Sequence, residues 1–326
     1  MTGLLENLTN PALLFFILGI LASQIKNDLQ IPENSSKFIS IYLLLSIGFK
    51  GGNELSHSQL DTEILGSLFL GFLLASMVPV VAFMILKKRV SIPNAGAIAA
   101  AYGSVSAVTF VTAISFLEFE ATSFDGHMIA VMALMEAPAI VVGILMIKLF
   151  SKDKGGKAAD AEKSFKKVFN HSINNASVLI IVGSLVIGFL ASDEQAEGIK
   201  PFTTDIFKGF LAVFLLDMGI RAGNQLGGMR KNGLVLILFA SLMPFVNGIL
   251  ALFLASLFTQ SAGNMLLFAI LGASASYIAV PAAMKNAVPE ANPGIYLPMA
   301  LGITFPLNVI IGIPFYFYLV ETYMIS

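Results

Sequence analysis

LLSIGFKGGNEL, from Leu44 to Leu55, is written again as LLDMGIRAGNQL, from Leu215 to Leu226. Six of the twelve positions are identical: Leu44/Leu215, Leu45/Leu216, Gly48/Gly219, Gly52/Gly223, Asn53/Asn224 and Leu55/Leu226. Lys50/Arg221, Ser46/Asp217 and Glu54/Gln225 are close substitutes. Each copy sets a cation inside an apolar run. Echoes at similar offsets extend along the chain: Asn10, Ala12 and Gly19 with Asn174, Ala176 and Gly183; Ser76 and Pro79 with Ser241 and Pro244; Ser104 and Ser106 with Ser274 and Ser276; Pro138 with Pro306. The chain reads as two copies of one unit.

The solvent of that unit follows from composition. Of 326 residues, 56% are hydrophobic and only 12% charged, with mean hydropathy +0.84. Soluble domains are about 25% charged, so this chain cannot cover a water-facing surface and reads as an integral membrane protein. With a net charge of −1, nothing in the sequence points to nucleic acid as a partner. Zero cysteines exclude disulfides, thiol nucleophiles and cysteine metal sites. Met1 to Asn10 lacks the positive segment of a signal peptide, so the first apolar run is expected to be a span.

Ten stretches approach the roughly 20 apolar residues that a spanning helix needs: Pro11–Ser23 with an expected extension to Leu29, Phe38–Asn53, Ile64–Leu86, Ala95–Leu117, Met128–Phe150, Ala176–Ala191, Thr204–Asn224, Gly233–Phe258, Asn264–Ala287 and Ile295–Tyr318. The longest polar stretch, Ser151 to Asn175, divides them five from five, and with Lys148 it holds seven lysines. It reads as a solvated loop. Lys26, Lys37, Lys87, Lys88, Arg89, that linker, Arg230, Lys231 and Lys285 fall in odd-numbered loops. Glu54, Asp61, Glu63, Glu118, Glu120, Asp125, Asp193, Glu194 and Glu197 fall in even ones. Lys/Arg-rich loops face the cytoplasm, which puts the odd loops inside and both termini outside.

Five spans, an odd number, separate each repeat partner, so the two halves point in opposite directions. The expected fold is therefore all-α: ten transmembrane helices in a 5+5 inverted-topology repeat, an architecture of secondary transporters. Residues 1–150 form the first repeat, 151–172 a cytoplasmic linker and 173–326 the inverted second repeat. Lys50 and Arg221 read as helix-end cations that snorkel to opposite interfaces, without a transport role. Asp217, one turn from Arg221, reads as its ion-pair partner.

Spans 4 and 9 are expected to be broken. Each carries small residues at mid-depth, Gly103–Ser106 and Gly272–Ser276, with Pro281 following in span 9. A break exposes N–H groups at the start of the second half-helix, and these with the helix dipole bind anions. Small residues also serve close helix packing; the Ser-x-Ser match between the halves favours the site. Without Arg or Lys in the breaks, a small monovalent anion suits better than a phosphate. Glu136 before Pro138, and Thr304 and Asn308 around Pro306, occupy equivalent places in spans 5 and 10. Such oxygens suit a hard cation, although Glu136 could instead pair with a polar neighbour such as Asn308. Rival classes fare worse. His57, His127 and His171 have no metal-ligand spacing, and no G-x-S-x-G elbow is present. An anion channel, or a carrier of another small anion such as a monocarboxylate, stays open beside the cation-coupled carrier.

NPALLFFILGILASQ, LQIPE, LLLSIGFKGGNEL, GSVSAVTF, MEAPAIV, GASASYIAVPAA, PEANPGIYL and LGITFPLNVIIGIPFY together resemble the sodium-dependent bicarbonate transporter family over nearly the whole chain. The resemblance implies a core and a gate domain, a homotrimer in the plasma membrane, and Na⁺/bicarbonate symport by elevator-like motion. It implies no cofactor, only Na⁺ as coupling ion, and regulation by a PII-type protein on the cytoplasmic side. Bicarbonate would lie between Gly103, Ser104 and Ser106 on one side and Ala273, Ser274 and Ser276 on the other. Na⁺ would lie close by on oxygens drawn from Ser274, Ser276, Thr304 and Asn308, with Glu136 a further candidate. The chain departs from the family pattern at Ala107-Val108-Thr109, where Gly-Ser-Thr is usual, and at Glu136, where Asp is usual.

Overall fold

The structure is a computed structural model that describes residues 11–25, 28–57, 61–151, 176–229 and 233–324. Nearly all of the linker, with His171, lies outside the described residues, as do Asn10, Asn174, Lys26, Arg230 and Lys231. The described residues form helices and connecting turns, with no strand among them. In chain order these are α1 (Pro11–Ile25), α2 (Glu33–Ser56), α3 (Thr62–Leu86), α4 (Ile92–Gly103), α5 (Ala107–Phe119), α6 (His127–Phe150), α7 (Ala176–Leu190), α8 (Asp193–Lys200), α9 (Phe207–Met229), α10 (Leu234–Ala255), α11 (Ala262–Ala273), α12 (Ala279–Ala287) and the composite α13 (293–324).

Five helical stretches are long and apolar enough to cross a membrane: Thr62–Leu86, Ile92–Phe119, His127–Phe150, Leu234–Ala255 and Pro293–Tyr323. α1, α7 and α11 are apolar but shorter. α2 and α9 are long, but Lys37 and Lys50 interrupt one and Asp217 and Arg221 the other. The outward faces are apolar. Leu65 and Phe69 on α3 are 65% and 67% exposed, and Leu234 and Leu242 on α10 are 70% and 59% exposed. In water such surface would be costly; against lipid it costs nothing.

Local chemistry sets the ends. Asp61 caps α3 by accepting from the Ile64 N–H at 3.0 Å. A capping box of Ser192 and Gln195 starts α8, a short polar helix that hydropathy alone does not reveal. The described part of α1 ends at Ile25, and Asp28 and Leu29 are not helical, so the expected extension to Leu29 does not form. The polar Asp28 follows, and Pro32 forces its predecessor out of helical geometry. In α13, Pro298, Pro306 and Pro314 each remove a backbone donor. Hydrogen bonding widens to the i→i+5 pattern at Pro298–Thr304, Asn308–Gly312 and Val320–Met324, one way a helix absorbs such insults.

Packing crosses between the halves: α1 lies along α9, and α2 along α7. The glycines of the repeated phrase make both contacts. A Cβ on Gly219 would sit 2.1 Å from the Phe16 carbonyl oxygen, and one on Gly223 1.9 Å from Ser23 Oγ. Their counterparts Gly48 and Gly52 would meet Ser184 Oγ at 2.1 Å and the Leu185 carbonyl oxygen at 1.9 Å. Each pair is a small-xxx-small seam that lets two backbones touch. Neither cation of the phrase is a free interfacial anchor. Lys50 Nζ lies 2.7 Å from Glu118 Oε1, and Arg221 Nε lies 2.8 Å from Asp217 Oδ2. The Asp217–Arg221 pairing agrees with the sequence reading.

A second pair of equivalent residues behaves alike. Asn94 at the start of α4 accepts the Asn292 N–H at 2.7 Å, and Asn264 at the start of α11 accepts the Asp125 N–H at 2.9 Å. Each asparagine pins a loop of the opposite half. Asn264 Nδ2 also donates to Glu63 Oε1 and Asp125 Oδ2, at 3.0 and 2.5 Å.

Candidate functional site

α4 and α11 are both twelve residues long, and both end where the next residue is a serine in extended conformation. Ser104 has φ −86° and ψ 174°; Ser274 has φ −79° and ψ 165°. Small residues permit the arrangement: a Cβ on Gly103 would lie 2.1 Å from Pro79 Cγ. Helical bonding resumes at Ala107 and Ala279. The two extended segments cross and bond. Ser276 N–H donates to the Ala101 carbonyl oxygen at 2.8 Å, and Ser106 N–H donates to Ser274 Oγ at 3.1 Å. Ser274 Oγ passes its own proton to the Leu271 carbonyl oxygen at 3.1 Å. Thus Gly103, Ser104, Ser106, Ala273, Ser274 and Ser276 come together, all buried.

Two half-helices start from this crossing. Ser106 caps α5 by accepting the Thr109 N–H at 3.2 Å, and its carbonyl accepts the Phe110 N–H. The first turn's N–H groups at Ala107 and Val108 remain, as helix geometry requires, and both residues line a cleft. That cleft encloses about 590 Å³, open solvent included. Ser106, Val108, Ser276, Tyr277 and Glu136 form part of one wall. Ser40, Leu43 and Leu44 of α2, Ile181 of α7 and Phe214 of α9 form the other. Ser276 Oγ accepts the Val280 N–H at 3.4 Å, tying the crossing to α12. Positive helix ends, serine hydroxyls and one carboxyl therefore share a mostly apolar cleft.

Thr304 and Asn308 are bonded to the crossing and the helices around it, and do not line the cleft. Asn308 Nδ2 donates to the Ala273 carbonyl oxygen at 2.8 Å, so its amide is engaged with the crossing. Thr304 Oγ1 donates to the Ala240 carbonyl oxygen at 2.8 Å and receives the Tyr102 hydroxyl at 2.7 Å. Asn308 Oδ1 and Ser104 Oγ are buried without a hydrogen-bond partner among the described residues. Glu136 is 7% exposed and faces the cleft. Among the described residues no three of His, Asp and Glu gather into a metal-ligand cluster. His127 is buried and shares a hydrogen bond with Ser67 Oγ at 3.0 Å; His57 pairs with Asp193 at 3.0 Å.

Sequence reasoning missed the α2 wall of the cleft and the role of Tyr102. Ser40 is a lone polar residue in an apolar run, and Tyr102 abuts the first break; each is a signal too common to single out alone. No protein of curated function matches the chain. The family model of the Na⁺-dependent bicarbonate transporter superfamily matches it from residue 11 to residue 321. With nearly the whole chain matched, the protein belongs to that superfamily and is a multi-pass membrane transporter, not an enzyme.

Proposed function

We propose that the protein takes up bicarbonate together with Na⁺, by elevator-like alternating access of a core against a gate. The observation that carries this reading is the crossing of the two extended segments, with the starts of two half-helices together on one wall of one cleft. Bicarbonate sits at those helix starts, held by N–H groups of Ala107 and Val108 and the hydroxyls of Ser106 and Ser276, with Gly103, Ser104, Ala273 and Ser274 forming the floor. Na⁺ sits behind, drawn to oxygens that burial would otherwise penalise. Leaving a buried polar atom unpaired costs about 1–3 kcal/mol, and Ser104 Oγ and Asn308 Oδ1 are both in that position. Thr304 and Ser274 stand beside them as further oxygens, and Glu136 adds a carboxylate on the cleft side. A carboxylate near a bound anion needs a cation's company, which makes Na⁺ binding favour anion binding.

The wider reading is the ten-span, 5+5 inverted repeat with breaks in spans 4 and 9, assembled as a homotrimer in the plasma membrane. Cross-packing of α1 with α9 and of α2 with α7, and the Asn94/Asn264 pair, support the repeat. On this reading both termini lie outside, and the 151–172 linker is cytoplasmic, where a PII-type regulator would meet it. A second reading has one observation in its favour: Val105, Val108, Val111, Met132, Leu43 and Leu44 make much of the cleft apolar, which suits a small monocarboxylate.

The test is uptake of labelled bicarbonate into proteoliposomes, with and without an inward Na⁺ gradient, beside Ser274→Ala. Na⁺-dependent uptake that the variant loses supports substrate and site together. Uptake of acetate that outcompetes bicarbonate moves the reading to the monocarboxylate. Folded protein that transports neither under any Na⁺ condition sinks the proposal.

A further inference from the structure

Lys50 and Arg221 hold equivalent places in the repeated phrase, yet their charges are met in opposite ways. Arg221 is neutralised within its own helix: Asp217 lies one turn back, and Ser36 Oγ bridges the pair, donating to Asp217 Oδ2 at 2.5 Å and receiving Arg221 Nη2 at 3.2 Å. In the first copy the aspartate is replaced by Ser46, whose hydroxyl is buried and unpaired among the described residues. Lys50 has Glu54 one turn on along its own helix, yet its ammonium reaches off the helix to Glu118, on the last turn of α5, the half-helix that starts at the cleft. Lys208 at the start of α9 approaches the other oxygen of Glu118 at 3.9 Å.

Glu118 is badly placed for its own helix. A C-terminal turn carries the negative end of the dipole and disfavours an acid. Its placement is explained by the two cations, which belong to α2 and α9, the helices of the opposite cleft wall. With 28% and 22% side-chain exposure, the Lys50–Glu118 pair is shielded from water more than an ordinary surface bridge. The place equivalent to Glu118 in the second half is taken by the uncharged Val288. Only one end therefore has this link between the walls, among the described residues.

We propose that Lys50, Glu118 and Lys208 are positioning residues of the transport cycle: an ion-pair latch that closes the cleft at the Glu118 end. The proposal rests on the two-wall carrier reading above. The latch must break for the α5 wall to slide past α2 and α9, so it sets how often that end opens without touching the substrate.

The absence of cysteine in the parent chain provides the test. A Leu43→Cys reporter on the cleft wall, 2% exposed in this structure, is labelled with a membrane-impermeant maleimide applied to one face at a time. Glu118→Gln and Lys50→Gln should each speed labelling from the Glu118 face about two- to fivefold, the range for one partly exposed pair. The two together should add little beyond either. Exchanging all three charges, Lys50→Glu and Lys208→Glu with Glu118→Lys, should return the rate toward the parent's, and it decides the matter if a single variant does not purify folded. Unchanged labelling in the single variants, or an exchange that labels as fast as they do, overturns the latch. Na⁺-dependent uptake is measured on the cysteine-free parent in parallel; its absence would strike the carrier reading, not the latch alone.

Discussion

Replacing Gly219 by alanine tests the cross-packing of the halves with a sign that competes against intuition. Glycine inside a helix is about 1 kcal/mol worse than alanine, so the change ought to stabilise α9. The structure argues the reverse. The new methyl would lie 2.1 Å from the Phe16 carbonyl oxygen and 3.0 Å from the Ile20 nitrogen. Carbon contacts are comfortable at about 3.5–4.0 Å, so α1 and α9 must part by roughly 1 Å or more along their seam. Overpacking costs about 1–3 kcal/mol, and here the obstruction is backbone that no rotamer change can move, which favours the upper half of that range. The expected net loss is about 1–2 kcal/mol after the helix gain is subtracted. Gly209 on the same helix is the control, because nothing lies within 4 Å of its Cβ position, and Gly209→Ala should gain up to about 1 kcal/mol. Equilibrium unfolding in detergent micelles, followed by far-ultraviolet circular dichroism, compares the two. Gly219→Ala as stable as Gly209→Ala would refute the seam.

Asn308→Leu removes both the bond to the Ala273 carbonyl oxygen and the unpaired Oδ1. It should raise the Na⁺ concentration for half-maximal uptake about tenfold or more, the effect of losing one charge-assisted contact, while Asn308→Asp keeps the oxygen and loses less. A Na⁺ titration of uptake reads this, and an unaltered midpoint in Asn308→Leu removes the residue from the cation site. Tyr102→Phe deletes the hydroxyl that reaches Thr304 and should cost about 1 kcal/mol of stability, with the Na⁺ midpoint moved if Thr304 is a ligand; unfolding and titration together separate the two effects.

How far the residues alone reached depended on what each signal measures. Helices were legible because lipid demands length and apolarity, and their order along the chain follows from that demand. The Gly/Ser clusters at 103–106 and 272–276 were legible as positions, since small residues there had no propensity reason to recur. What the extended segments bond to was not legible: Ser276 N–H to Ala101 is a backbone contact, and backbone groups leave no trace in composition. The capture of Lys50 by Glu118 was equally hidden, because the two lie 68 positions apart and a helix pattern speaks only for neighbours three or four away. Asp217 was readable for that reason: it stands one turn from Arg221.

The repeat also explains why the site is not symmetric. The first halves, α4 and α11, match in length and in the backbone angles of the serine that follows. The second halves do not. α5 begins at Ala107, three residues after Ser104, whereas α12 begins at Ala279, five residues after Ser274. Ser106 therefore caps its helix directly, at the N-cap position, while Ser276 stands further from the start of α12 and reaches only the Val280 N–H. Two identical half-sites would offer a small planar anion two equivalent orientations and no place for a second ion. The two-residue difference removes that degeneracy: on the proposed reading, one helix start takes the anion's oxygens directly and the looser one frees backbone and hydroxyl oxygens near Asn308 for the cation. On that reading, a frame built by duplication becomes a coupling site through the region where the copies diverge.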